Sequence, residues 1–202
     1  MSTTQPVLSV SNLSLSRGYR ALLSGLSFEV CPGELWQLVG PNGCGKTTLL
    51  RALAGLARIG VSGQITRPSG FLFQGHAPGL KGLLTPKENL SAHPGGYLSS
   101  DESTISDALD AVGLAGFGQV PVARLSAGQQ RRVGLARLWL NKSPLWLLDE
   151  PFTAIDAEGT RLLEAQLQAH CRSGGAVVFT SHQENQLGEE LAVLDLCDYG
   201  PR

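Results

Sequence analysis

Residues 40–47 constrain this chain more than any other segment. Gly40, Pro41, Asn42, Gly43, Cys44, Gly45, Lys46 and Thr47 fit the pattern G-x-x-x-x-G-K-[ST] at every fixed position. Gly43 and Gly45 allow the tight turns that aim successive N–H groups at phosphate oxygens. Lys46 supplies an ammonium for the β- and γ-phosphates, and the Thr47 hydroxyl is a Mg²⁺ ligand; Thr48 follows in the same helical turn. A glycine-rich turn without function would not need its flanks. Here the apolar residues 35–39 read as a buried strand and residues 47–54 as a helix, so a helix N-terminus, with the positive end of its dipole, follows the loop. The chain is expected to bind a nucleoside triphosphate.

Composition narrows the setting. With 202 residues, 42% hydrophobic and 16% charged, the chain suits one well-buried domain. A net charge of −1 gives no global basic surface, so no nucleic-acid partner is expected. Cys31, Cys44, Cys171 and Cys197 form no C-x-x-C pair, which argues against a zinc site or a disulfide framework and suits a reducing compartment. No apolar run approaches the roughly 18–20 residues that cross a bilayer, so work at a membrane would need another chain.

Along the sequence, residues 7–15 and 26–30 alternate apolar and polar like strands, and a Pro32-Gly33 turn leads into the P-loop strand. Short strands are expected at 64–66 and 71–73, a loop rich in Gly, Pro and His from 75 to 96, and a helix beginning near Pro86. Ile105, Ala108, Leu109 and Val112 mark an amphipathic helix over 103–112. Ser126 and Gln129 have the spacing of a capping box for a helix reaching about Leu140. Residues 145–148 read as a continuous apolar strand, Asp156 as a helix cap, 176–180 as a second buried strand and 191–196 as a last one. The alternation predicts an α/β nucleotide-binding core interrupted by a helical insertion.

Asp149 and Glu150 directly follow the 145–148 strand. Two adjacent carboxylates at the end of a buried strand are costly unless a cation or positive partner sits there. In a P-loop enzyme the first acid holds Mg²⁺ through water, and the second can polarise a water in line with the γ-phosphate. The plainer alternative is a strand ended by Asp-Glu-Pro. Leu125, Ser126, Ala127, Gly128 and Gln129 read L-S-x-G-Q at a helix start, an anion-binding N-terminus whose Ser126 and Gln129 also have a purely structural use as caps.

With this segment the chain resembles the ATP-binding cassette (ABC) ATPases, whose signature is LSGGQ; Ala127 replaces one glycine. The resemblance runs over about residues 7–193 and implies a P-loop NTPase of ABC type: a mainly parallel core sheet, a small antiparallel sheet and an inserted helical subdomain. It implies a single domain over 7–202, with the core at 7–74 and 144–202 and the signature subdomain at about 75–143. It further implies ATP and Mg²⁺ as ligand and cofactor. Gln74 matches the glutamine that contacts Mg²⁺ and senses the membrane subunit. Asp156, within Thr153, Ala154, Ile155 and Asp156, matches the residue contacting the opposite protomer. His182 matches the histidine on the γ-phosphate, and Tyr19 is the one nearby aromatic for stacking on adenine. Glu150, His182 and Lys46 would be catalytic; Thr47, Gln74 and Asp149 would hold the metal.

One P-loop and one signature imply a homodimer of ATPase subunits, with Ser126, Gly128 and Gln129 of one copy covering ATP on the other. The segments 75–90, 125–140 and 144–156 are similar to those of the haem-exporter ATPases of bacterial cytochrome c maturation. That resemblance implies an integral membrane ABC subunit docked at 75–90, haem-handling maturation proteins as partners, a peripheral place on the cytoplasmic face of the inner membrane, and ATP turnover that releases a haem-loaded chaperone. No residue pattern shows haem binding, and the loop histidines His76 and His93 read as exposed or docking residues. The alternatives are an exporter ATPase for another substrate, or a soluble ABC ATPase acting on nucleic acid or ribosomes; the 76–89 segment speaks against the first, and the lack of paired cassettes or basic extensions against the second.

Overall fold

A computed structural model describes residues 5–92, 101–181, 187–188 and 191–200. Its first strand, β1 (Leu8–Arg17), pairs antiparallel with β2 (Arg20–Val30) on one side and with β4 (Val61–Thr66) on the other. The β1–β2 register shifts between Val10 and Leu13, where Asn12 takes a positive φ of 48° and donates its N–H to Ser27 Oγ at 2.8 Å. This bulge restores the inward direction of Leu13 and Leu15 after Val10. Both β2 and β4 begin earlier than the sequence pattern suggested. The added residues, 20–25 and 61–63, do not alternate strictly and each include a glycine, and their pairing comes from β1.

The second sheet is parallel, with spatial order β5 (Leu72–Gln74), β6 (Leu145–Leu148), β7 (Ala176–Thr180), β3 (Leu35–Val39) and β8 (Leu191–Asp195). Strands buried on both faces need no alternation. In β6, Leu145 and Leu147 join the core shared with the antiparallel sheet and helix α1 (Lys46–Leu53). Trp146 and Leu148 instead join the core beneath helix α5 (Ala157–Arg172). Ala176 and Val178 divide from Val177 and Phe179 in the same way along β7.

Helices α2 (Pro86–Ser91), α3 (Glu102–Ala111) and α4 (Ala127–Leu140) build a third core around Leu90, Ile105, Leu109 and Val133. Helix α4 serves two cores. Val133, Ala136 and Leu140 face the helical cluster, whereas Leu135 and Leu138 face Trp146 and Phe179. A helix buried on two sides shows no single apolar stripe, so only its cap was strong in the sequence. The predicted caps form: Ser126 and Gln129 exchange both bonds of the capping box, and Asp156 Oδ1 accepts from Gly159 N–H at 2.8 Å. Among the described residues no helix is long and apolar enough to cross a membrane.

The parallel order brings the carboxyl ends of β3, β6 and β7 side by side. The P-loop leaves β3, Asp149 and Glu150 leave β6, and Thr180 ends β7, so all three converge on the crevice at the strand ends.

Candidate active site

The loop 40–47 is held open by backbone that only glycine adopts easily. Gly40, Gly43 and Gly45 have φ of 137°, 81° and 116°. Gly45 stands at the N-cap of α1 with no side-chain hydrogen bond, and no acid lies in the first turn. The helix end therefore keeps its N–H groups and positive potential for an anion. Lys46, 7% exposed, donates from Nζ to the carbonyls of Gly40 at 2.7 Å and Pro41 at 3.3 Å. These bonds hold the loop and keep the ammonium over it. Cys44 is half-buried against the core, with Sγ so near Gly40 that a β-carbon there would lie 2.8 Å away.

Asp149, 2% exposed, is the centre of the second element. Its Oδ1 accepts from Thr47 Oγ1 at 3.1 Å and Thr180 Oγ1 at 3.0 Å, and its N–H donates to the carbonyl of Gln74 at 2.8 Å. The Thr180 hydroxyl in turn accepts from the N–H of Glu150 at 2.9 Å. Glu150 takes a left-handed φ of 55°, an unfavourable backbone for a non-glycine residue. Three partners impose it: Thr180 on its N–H, and Arg131 and the N–H of Thr153 on its carbonyl, the last at 3.2 Å. The bend turns the Glu150 side chain out of the strand line to the mouth of a cleft of about 770 Å³, where it is the one carboxylate among the described lining residues. Thr153 Oγ1 donates to its Oε2 at 3.4 Å.

Arg131, early in α4 and 5% exposed, also donates to the carbonyls of His76 and, at 3.4 Å, Asp149. Burial pulls its pKa below the ordinary arginine value, opposed by the charges of Asp149 and Glu150. Arg137, one face further along α4, donates to the carbonyls of Pro78 at 2.7 Å and Gly79 at 3.2 Å. Both arginines thus strap the 76–79 loop onto α4. Gly134 lies between them, and a β-carbon there would come 2.9 Å from Pro78 Cβ and 3.0 Å from Gln74 Nε2.

The donor set fits Mg²⁺. Thr47 and Asp149 are already joined, and Gln74 is 2% exposed with neither amide atom hydrogen-bonded. Hydroxyl, carboxylate and amide oxygens are the ligands a hard cation takes. A buried amide with both ends unpaired is expensive unless a ligand or water completes it. Its nitrogen packs toward Gly134, and no hydrogen bond ties it to Thr47 or Asp149. Among the described residues no group of three His, Cys, Asp or Glu gathers as a metal centre.

The other expected residues lie elsewhere. Ser126, Gly128 and Gln129 do not line the P-loop cleft, and Ser126 and Gln129 satisfy each other. Gly128 faces the carbonyl of Ala154, whose φ is also positive at 59°. Asp156 caps α5 and forms an ion pair of 2.6 Å with Arg132, and the Gly159 N–H, followed by Arg132, lowers its pKa. Tyr19 is fully exposed at the β1–β2 turn and does not line the cleft, although its neighbours do. His182 and His93 lie outside the described residues. His76 is exposed.

Residues 23–153 match the ABC transporter family model. A cytochrome c biogenesis ATP-binding export protein CcmA from Pseudomonas syringae is 48% identical over 209 residues, covering 95% of each chain. One from Yersinia pestis is 47% identical over 190 residues, covering 88% of this chain and 87% of the relative. The chain belongs to the ABC transporter family, among its cytochrome c biogenesis ATP-binding export proteins. A Pyrococcus furiosus chain assigned as an ABC transporter ATP-binding protein superposes with a TM-score of 0.81, covering 96% of this chain and 99% of its own, at 23% identity. That likeness shows the ABC ATPase fold, with its parallel sheet, its small antiparallel sheet and its helices. As an ABC ATPase the chain binds and hydrolyses ATP.

Sequence reasoning missed two residues that set the geometry of this ABC site. Thr180 ties Asp149 to Glu150, and Arg131 clamps three carbonyls around them. In the sequence Thr180 reads only as a strand residue, and Arg131 only as part of a helix. The one available signal was an arginine placed two residues after a capping box, on a side of the helix that turns inward.

Proposed function

We propose that the chain is the ATP-hydrolysing subunit of a membrane ABC complex that serves haem export in cytochrome c biogenesis, and that two copies work head to tail. One observation carries the chemistry: a buried Asp149 tied to the P-loop through Thr47, next to a Glu150 whose left-handed backbone turns it to the cleft. The phosphates of ATP lie on the N–H groups of 40–48, with Lys46 exchanging its loop carbonyls for the β- and γ-phosphates. Thr47, Asp149 and Gln74 would hold Mg²⁺, which neutralises charge on the phosphates when bound. Glu150 orients and deprotonates the attacking water. His182 is assigned to the γ-phosphate on the family pattern alone.

The pairing of copies is supported by what the cleft lacks. No residue of the 125–129 signature lines it, and the signature helix end already satisfies its own cap. A second copy brings that helix N-terminus, with Ser126, Gly128 and Gln129, onto the γ-phosphate, and Asp156 to the opposite subunit. The helical region at about 75–143, with its own core, forms the subdomain that docks an integral membrane subunit through the 75–90 loop. This reading places the chain peripherally on the cytoplasmic face of the inner membrane, with haem-handling maturation proteins in the same assembly.

The test is to trap tagged Glu150→Gln with Mg-ATP in native membranes and identify what purifies with it. Recovery of a multi-span subunit with haem-bearing proteins is expected, with ATP bound and not hydrolysed. A membrane subunit without haem reassigns the pathway, and recovery of ribosomes or DNA alone overturns the transport role.

A further inference from the structure

The nucleotide cleft has a second wall that the phosphate chemistry does not use. It is built from the end of the β1–β2 hairpin and the loop after α1, and it includes Arg17, Arg20, Leu56 and Ile59. Among the described residues no aromatic side chain lines the cleft. Arg17 and Arg20 are directly opposed in the hairpin register across the Gly18-Tyr19 turn, so their side chains leave the same face of the ribbon. Gly18, with φ of 61°, permits that tight turn and points Tyr19 outward, where it is fully exposed. Like charges facing each other across a hairpin destabilise it. Yet among the described residues neither guanidinium has an ion pair or hydrogen bond. Arg51, on α1 at the same cleft, has none either. Leu56 and Ile59, which line the same cleft, are exposed apolar side chains.

We propose that the Arg17–Arg20 pair, and not Tyr19, is the platform for the base of the nucleotide. A guanidinium is planar and weakly hydrated and stacks on aromatic faces, so it can cover a purine as an aromatic ring would. The apolar edge of Leu56 and Ile59 takes the opposite border of the base. The pair at the same time places positive charge near the ribose and α-phosphate, which explains why it has no protein anion of its own. This assignment rests on the ATP-binding reading of the P-loop and adds the specificity half of that site.

The experiment measures ATP and inorganic tripolyphosphate binding to the full chain by calorimetry. Replacing both residues by alanine should raise the ATP Kd on the order of tenfold, the loss of two exposed guanidiniums that the base covers on binding. Arg17→Lys with Arg20→Lys keeps both charges and removes both planes. That variant should bind tripolyphosphate like the wild type while its ATP Kd stays raised several-fold. An ATP Kd restored to the wild-type value by lysine overturns the stacking role, as does a Tyr19→Ala variant that loses as much affinity as the alanine pair. Lys46→Ala separates the two claims. If the wild type binds neither ligand, or if Lys46→Ala binds both as well as the wild type, the phosphate reading itself fails, whatever the arginines do.

Discussion

The strand-end half of the site and the signature half differ in where their polar groups find partners. At the strand ends the bonds join residues far apart in the chain: Thr47 to Asp149, Glu150 to Thr180, Arg131 to His76. Each of these bonds has one buried partner, Asp149, Thr180 or Arg131, so each is costly to lose. At the signature, Ser126 and Gln129 bond to each other and Arg132 meets Asp156 at the surface. One half is assembled by the fold; the other is assembled by its own helix turn and offered outward. The two meet in adjacent residues of α4, where Arg131 points in to hold the Glu150 carbonyl and Arg132 points out to Asp156. On the proposed pairing, the helix that would face a second copy is thereby tied to the bend that sets Glu150.

The strongest test of this contrast compares Lys46→Ala with Ser126→Ala. Lys46→Ala should abolish measurable ATP binding by the isolated chain and reduce hydrolysis by on the order of a hundredfold or more. Ser126→Ala should leave ATP binding by a single chain unchanged and lower only the hydrolysis of the paired form. Weakened single-chain binding in Ser126→Ala would mean that the halves are not separate.

Next in size is Arg131→Ala. Removing a charged donor from three carbonyls in a buried pocket should cost about 2–3 kcal/mol in urea unfolding. It should also lower kcat more than it changes KM, because the Glu150 bend loses one of its restraints. Full activity with only lowered stability would reduce Arg131 to a fold support.

Smaller still is the cap itself. Ser126→Ala removes one of the two capping-box bonds and should cost about 1 kcal/mol of stability, read as a lower Tm. An unchanged Tm would show that the signature turn is held by its packing and not by its cap.

These differences mark what could be seen in the sequence. The P-loop, the caps of α4 and α5 and the buried strands β6 and β7 are local signals, each written within a dozen residues, and the expected bounds of each lie close to those observed. The bulge at Asn12, the early start of β2 and the roles of Thr180 and Arg131 are set by residues distant in the chain. Thr180 looks like any β-branched strand residue until the parallel order sets β7 beside β6. Arg131 looks like a solvated helix arginine until α4 is found buried on two sides. Tyr19 shows the converse: the family resemblance names the nearest aromatic, while the hairpin sets Arg17 and Arg20, and not Tyr19, along the cleft.

The last predicted effect, absent at neutral pH, lies at the other end of the parallel sheet and bounds the contrast. His170, near the end of α5, stacks flat on Trp146 with ring centroids 3.7 Å apart, and its Nε2 is buried without a partner. Burial pushes its pKa down to about 4. Above about pH 6.5 the imidazole is neutral in both folded and unfolded chains. Between about 6.5 and 4 the unfolded chain takes up a proton that the folded chain refuses, so stability falls as pH falls, by at most about 1.4 kcal/mol per pH unit for this one group. His170→Asn should flatten that part of the unfolding profile while leaving the ATP affinity at pH 7.5 unchanged, since none of the P-loop cleft lies at this end. A pH slope that survives the substitution would return the acid sensitivity to the carboxylates of the strand-end half, and the two ends of the sheet would then not be independent.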